Sequence, residues 1–184
     1  MDDTQIIDLY WDRDQGAITA TAGKYGSFLH ALSWNILRSH HDAEECVNDT
    51  YFRAWNAMPP ECPNSLKAFL GRITRNISVT RLRRSGSQKR GGGEASLAID
   101  ELSECLPGES DPARTAENRE LLRSIDAFLS LLPERERVIF LGRYFYALTA
   151  EEIAARLGMK TAAVKTSLYR TRKRLAQKLE EEGY

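Results

Sequence analysis

The sequence predicts an all-α protein built as two small helical domains joined by a flexible linker. The boundaries are 1–85, 86–112 and 113–184. Three observations carry that prediction. No stretch sustains the apolar–polar alternation of a half-buried strand. Apolar residues recur instead at helical spacing along most of the chain. Between these periodic stretches, residues 85–112 (SGSQKRGGGEASLAIDELSECLPGESDP) turn to glycine, serine and acid, the composition of a connection rather than a core. Its second half holds sparse Leu and Ile, enough for a short contact within what is otherwise linker.

The elements follow in order. Residues 4–12, TQIIDLYWD, predict a short helix capped by Thr4. A longer helix follows within residues 14–37, with Phe28, Leu29, Leu32, Ile36 and Leu37 at helical spacing. Asp42 opens the next, with Glu45 three residues later in a capping box. Val47, Tyr51, Ala54, Trp55 and Met58 form its buried stripe. The opposite face carries Glu45, Asp49, Phe52, Arg53 and Asn56. An apolar ring among charges is either a stray exposed aromatic, which is common, or an anchor for a protein partner.

Three prolines in 59–64, PPECPN, fix φ and remove donors, so this is a stiff loop. In the helix after it, Leu66, Phe69, Leu70, Ile73 and Ile77 share one face; Lys67, Arg72, Arg75 and Ser78 lie toward the other. Arg81, Arg83 and Arg84 crowd its end, where cations suit the helix dipole. Beyond the linker, residues 113–131 resume a helix through Ala116, Leu121, Leu122, Ile125, Phe128 and Leu129. Pro133 starts another, Glu134–Tyr146, with Val138, Ile139, Leu141 and Phe145 for burial.

Residues 149–175 read as two helices and a tight turn. Ile153, Ala154 and Leu157 are the buried stripe of the first helix, Gly158 stops it, and Thr161 can cap the second. That second helix repeats Val164, Leu168, Thr171, Leu175 and Leu179 on one face. Ala162, Thr166, Tyr169, Arg170 and Lys173 point the other way, flanked by Lys165 and Arg172 on one side and Ser167 and Arg174 on the other. An apolar back with a basic, hydroxyl-bearing front suits a DNA major groove.

Charge is distributed accordingly. The formal net charge is zero, yet residues 1–63 are net −6, 64–92 net +8, 93–112 net −6, 113–134 net −1 and 135–184 net +5. Two basic blocks set among acidic ones predict local anion-binding surfaces, and eight cations without an acid in 64–92 point to phosphate. Cys46, Cys62 and Cys105 lie far apart, and His30, His40 and His41 form no metal spacing with them. No metal or cofactor is therefore expected. Nor is there a signal peptide or an apolar run long enough to span a membrane, so a cytoplasmic location is expected. No glycine-rich phosphate loop or nucleophile–base pair argues for an enzyme.

Four segments carry a resemblance: DAEECVNDTYFRAW (42–55), SLKAFLGRITRN (65–76), LPERERVIFLGRYF (132–145) and EEIAARLGMKTAAVKTSLYRTRKRL (151–175). In this order, with this linker, the chain resembles the extracytoplasmic-function sigma factors, sigma-70-type initiation factors reduced to a region 2 bundle and a region 4 helix-turn-helix. The resemblance implies a non-catalytic factor that binds core RNA polymerase and promoter DNA. Asp49, Phe52, Arg53 and Asn56 would dock on the clamp helices of the β′ subunit. Loop 59–64 and the following helix, through Asn64, Lys67, Arg72, Arg75 and Asn76, would capture an unstacked base of the −10 element and hold its neighbours. Lys165, Thr166, Ser167, Tyr169, Arg170, Arg172 and Lys173 would read the −35 element, and the apolar surface of that domain would meet the β flap. An anti-sigma partner is implied as well. The chain departs from the family pattern at Phe69, Thr80, Ala163 and Ser167, where Trp, Asp, Thr and Arg are usual; Ser167 is where specificity should differ. The competing function is a free-standing helix-turn-helix regulator binding operator DNA, which leaves the first ninety residues without a purpose.

Overall fold

A computed structural model describes residues 1–86, 94–103 and 115–184. All regular structure among them is helical: α1 (Asp3–Trp11), α2 (Gly16–Leu37), α3 (His40–Ala57), α4 (Leu66–Gly86), α5 (Glu94–Ser103), α6 (Thr115–Leu131), α7 (Glu134–Tyr144), α8 (Ala150–Leu157) and α9 (Thr161–Glu181). The chain divides into two compact units, Met1–Gly91 and Gly92–Tyr184.

In the first unit α2, α3 and α4 pack on one another and α1 lies on α2. Ile6, Tyr10, Leu29, Ala54, Met58, Leu66 and Leu70 fill the core. The three-helix contact is close because several of the facing side chains are small. Ser33 and Ser78 hydroxyls meet at 2.8 Å, and Thr50 and Thr74 at 2.9 Å. Each of Thr50, Thr74 and Ser78 also reaches the carbonyl four residues before it. Ser78 therefore does not lie on the polar side of α4 where its spacing placed it. A hydroxyl with two partners is buried at little cost.

Helix starts differ from the sequence reading in three places. Asp2 caps α1, in a capping box with Gln5, where Thr4 was expected. Ser39 caps α3 and accepts from the Asp42 amide. Asp42 is thereby released to pair with Arg81 at 2.8 Å, and Glu45 pairs with the same guanidinium. At α9 the capping position is Lys160, with no side-chain cap, and Thr161 is the first helical residue. In each case the cap falls one to three residues earlier than expected.

The second unit is built on α7, α8 and α9, with α6 laid along α9 and α5 along α7. Its core takes Phe128, Leu132, Ile139, Phe140, Tyr144, Ile153, Val164, Leu168, Leu175 and Leu179. The inward face of α7 is Ile139, Phe140, Arg143 and Tyr144, while Val138, expected inside, is 44% exposed. Leu122 of α6 is likewise exposed. Gly142 lets α8 approach, for a Cβ there would meet Ile153 Cγ1 at 3.2 Å. Within 86–112, residues Glu94–Ser103 form α5, which seats Ala98 in this core and packs Leu102 against it. The rest of that segment, residues 87–93 and 104–112, lies outside the described residues.

Candidate protein-docking and nucleic-acid surfaces

Three surfaces collect the candidate residues. The first is the outer face of α3. Val47, Thr50 and Ala54 turn into the core, so Asp49, Phe52, Arg53 and Asn56, at i, i+3, i+4 and i+7, share the outward face and are all exposed. Phe52 keeps 68% of its surface in solvent. The ring is held out by the helix between an acid and a guanidinium and takes no part in the core.

The second surface is α4 with the loop before it. Ser65 starts the helix, its hydroxyl accepting from the Ala68 amide at 3.3 Å. Asn64, Lys67, Arg72 and Asn76 are exposed and Arg75 is half-buried. The four helical positions span about half the circumference of α4, at 100° per residue. Rings hold two of the cations. Lys67 Nζ stands 4.9 Å over Phe28, and the Arg72 guanidinium 5.9 Å over Phe69. Burial lowers the proton affinity of the Arg75 guanidinium, and Arg83 lowers it further.

The third surface is α9, set by the turn before it. Thr149 caps α8 in a full capping box with Glu152, and Gly158 ends α8 at φ 62°, the left-handed conformation the turn requires. Val164, Leu168, Thr171, Leu175 and Leu179 are buried, as their spacing requires. Thr166, Tyr169, Arg170 and Lys173 are exposed in front, with Tyr169 at 60%, and Lys165 is exposed on the flank. Ser167 is half-buried. The Thr166 hydroxyl donates to the Ala162 carbonyl at 2.9 Å, and Lys165 stands 3.4 Å from Glu151 of α8. Arg172 is not displayed with the others. Its side chain is 19% exposed and turns inward to Tyr144 Oη at 2.6 Å and Glu101 at 3.3 Å. Arg174, on the other flank, pairs with Glu136 at 2.8 Å.

Glu101, Arg143 and Tyr144 escaped the sequence reading. The one available signal was Arg143 itself, four residues after Ile139 on the apolar face of α7, a buried cation in need of a counter-ion. Burial pushes the Tyr144 phenol up to about 12, against the opposing pull of Arg172. Among the described residues His41, Asp42 and Glu45 approach one another; Arg81 already holds both of their carboxylates. Cys46 is buried and Cys62 exposed, neither in a disulfide, while Cys105 lies outside the described residues. No helix among the described residues is long and apolar enough to cross a membrane.

Comparison with known proteins matches a family model within each unit. Residues 22–88 match the family model of Sigma-70 region 2, and residues 122–175 that of Sigma-70, region 4. SigG of Mycobacterium tuberculosis, an ECF RNA polymerase sigma factor, is 30% identical over 181 residues, 89% of this chain and 49% of that protein. SigE of Mycolicibacterium smegmatis is 26% identical, over 80% of this chain and 55% of its own. SigW of Bacillus subtilis is 23% identical over 91% of both. The chain thus spans about half the length of the first two relatives. A solved structure of CnrH in complex with the cytosolic domain of CnrY aligns with 98% of the chain at 21% identity and a TM-score of 0.44.

Proposed function

The chain belongs to the sigma-70 family, in its extracytoplasmic-function branch, and from that premise we propose that it is an initiation factor that brings core RNA polymerase to a promoter. The first unit docks on the β′ clamp helices through Asp49, Phe52, Arg53 and Asn56. Loop 59–64 and α4 take the −10 element, with Asn64 and Asn76 near the bases and Lys67, Arg72 and Arg75 on the backbone. In the second unit Lys165, Thr166, Ser167, Tyr169 and Arg170 face bases and nearby phosphates of the −35 element, and Lys173 holds the backbone. The exposed Leu122, Leu131 and Val138 supply an apolar surface for the β flap. The factor performs no catalysis, works in the cytoplasm and is held inactive by an anti-sigma protein that covers these same surfaces.

The observation that carries this reading is the occurrence of both region models in one chain, each over the unit whose exposed residues fit its task. A free-standing repressor would use the α8–α9 motif but would leave the α3 face without a role. Run-off transcription on genomic DNA, with core enzyme alone and with this protein added, tests the proposal. New, discrete start sites sharing two elements are expected; unchanged initiation by the core enzyme would overturn it.

A further inference from the structure

Lys165 and Arg172 lie seven residues apart on α9, about two turns, and so fall on one line of the helix. Their surroundings differ sharply. The Lys165 side chain is 65% exposed, that of Arg172 only 19%. The difference arises where α5 crosses. Glu101 of α5 accepts from Arg143 Nη2 at 3.0 Å, from Arg172 Nη1 at 3.3 Å and from Tyr144 Oη at 3.1 Å. Beside this cluster a cleft of about 270 Å³ opens between α5, α8 and α9, lined by Leu97, Glu101, Arg143, Glu151, Lys165 and Arg172 among others. Three cations therefore line a groove on the flank of the reading helix; Glu151 of α8 partners Lys165, and Glu101, the carboxylate shared by Arg143 and Arg172, comes from α5 within the second unit.

We propose that α5 is an acidic strap acting in cis: Glu101 occupies Arg172 in the free chain, and a backbone phosphate of duplex DNA displaces it. The inference rests on the reading of α9 as a DNA-facing helix. Carboxylate and phosphate are alternative ligands of the same guanidinium geometry, so the exchange replaces one charge-assisted contact by another. The strap is lightly held. Of its described side chains, Ala98 is buried and Leu102 partly so, whereas Leu97 is half exposed. Arg143 hydrogen-bonds the Leu148 carbonyl at 3.3 Å as well, so it keeps a partner when Glu101 moves. The strap lowers the affinity of the free factor for any DNA and leaves Lys165 and the front of α9 accessible.

The test uses the full chain and a fluorescein-labelled duplex of mixed sequence, about 30 base pairs long, because phosphate contacts are sequence-independent. Glu101→Gln should tighten binding about tenfold at low salt. Arg172→Gln alone should flatten the fall of log K with log salt by about one, the signature of one lost phosphate contact. The gain should vanish in Glu101→Gln/Arg172→Gln. Ala98→Glu, which drives α5 and Glu101 with it from the seat while leaving Glu101, Arg143 and Arg172 unsubstituted, should reproduce the gain, and thermal melts report whether each variant folds. Unchanged affinity in folded Glu101→Gln and Ala98→Glu, an unchanged slope in folded Arg172→Gln, or a gain that survives loss of Arg172, overturns the strap. Failure of run-off transcription with the strap signature present overturns the proposed function alone; transcription without the signature overturns the strap alone.

Discussion

Phe52 stands on the outer face of α3, with most of its ring in water and no share in the core. Removing it therefore tests docking without testing folding. Phe52→Ala should weaken binding to core polymerase by about ten- to thirtyfold, the roughly 1.4–2 kcal/mol of a moderate interface anchor. The melting temperature should be unchanged; a large drop in it, or undiminished binding to core enzyme in a competition assay, would contradict the assignment. Arg170 and Arg172, two residues apart, show what spacing alone cannot resolve. Periodicity puts Arg170 in front and Arg172 on the flank, as observed. It does not reveal that Tyr144 and Glu101, 28 and 71 residues away, draw the second guanidinium inward. Ser78 makes the same point on α4. Its register depends on whether a partner hydroxyl waits inside, and Ser33 supplies it from another helix.

At the scale of the element, the α8–α9 motif rests on two local devices. The Thr149 hydroxyl accepts the Glu152 amide at 3.0 Å, and the Glu152 carboxylate accepts the Thr149 amide at 2.7 Å. Thr149→Ala should cost about 1 kcal/mol of stability. A Cβ on Gly158 would meet nothing within 4 Å, so Gly158→Ala carries only the penalty of the left-handed backbone, about 1 kcal/mol. Urea unfolding of both variants measures the two directly. A pH effect belongs to α1, which Asp3 ties to α2 through Lys24 at 2.6 Å and through Tyr25. Those hydrogen bonds, Lys24 first, hold the Asp3 carboxyl below its ordinary value. A depressed carboxyl stabilises the fold above its unfolded pKa and loses that contribution as pH falls through the lower, folded one. Amide protection in α1, taken relative to the intrinsic exchange rate at each pH, should therefore fall below about pH 4, and Asp3→Asn should remove that part of the pH dependence. The apolar stripes of α3, α4 and α9 were legible because burial enforces a period. The caps were less so. Asp2 and Thr4, or Ser39 and Asp42, are competent neighbours, and only the packed chain chooses between them.

At the scale of the molecule, each unit has its own hydrophobic core, and the contact boundary at Gly91–Gly92 falls inside the glycine-rich stretch. The charge blocks read from the sequence sort with the units. The described cations of 64–92 fall on α4, and the cations of 135–184 on α7 to α9 and the turn between α8 and α9. What composition could not disclose is that the acidic block between them supplies a counter-ion to the second unit. If the units address two promoter elements separately, damage to one should not alter the cost of damage to the other. Arg72→Ala and Arg170→Ala are suited to this, since both residues are exposed and lie in different units. Each should lower promoter-directed transcription about tenfold, the scale of one good DNA contact. Their free-energy costs should add to within about 0.5 kcal/mol, as distant and independent sites do. Quantitative run-off assays on one promoter, with the −10 and −35 elements altered in turn, give the comparison. Arg72→Ala should lose its effect where the −10 element is already damaged, and Arg170→Ala where the −35 element is. A double variant no worse than either single one would mean that the two surfaces act on a single step through a shared contact, and the division of labour between α4 and α9 would have to be given up.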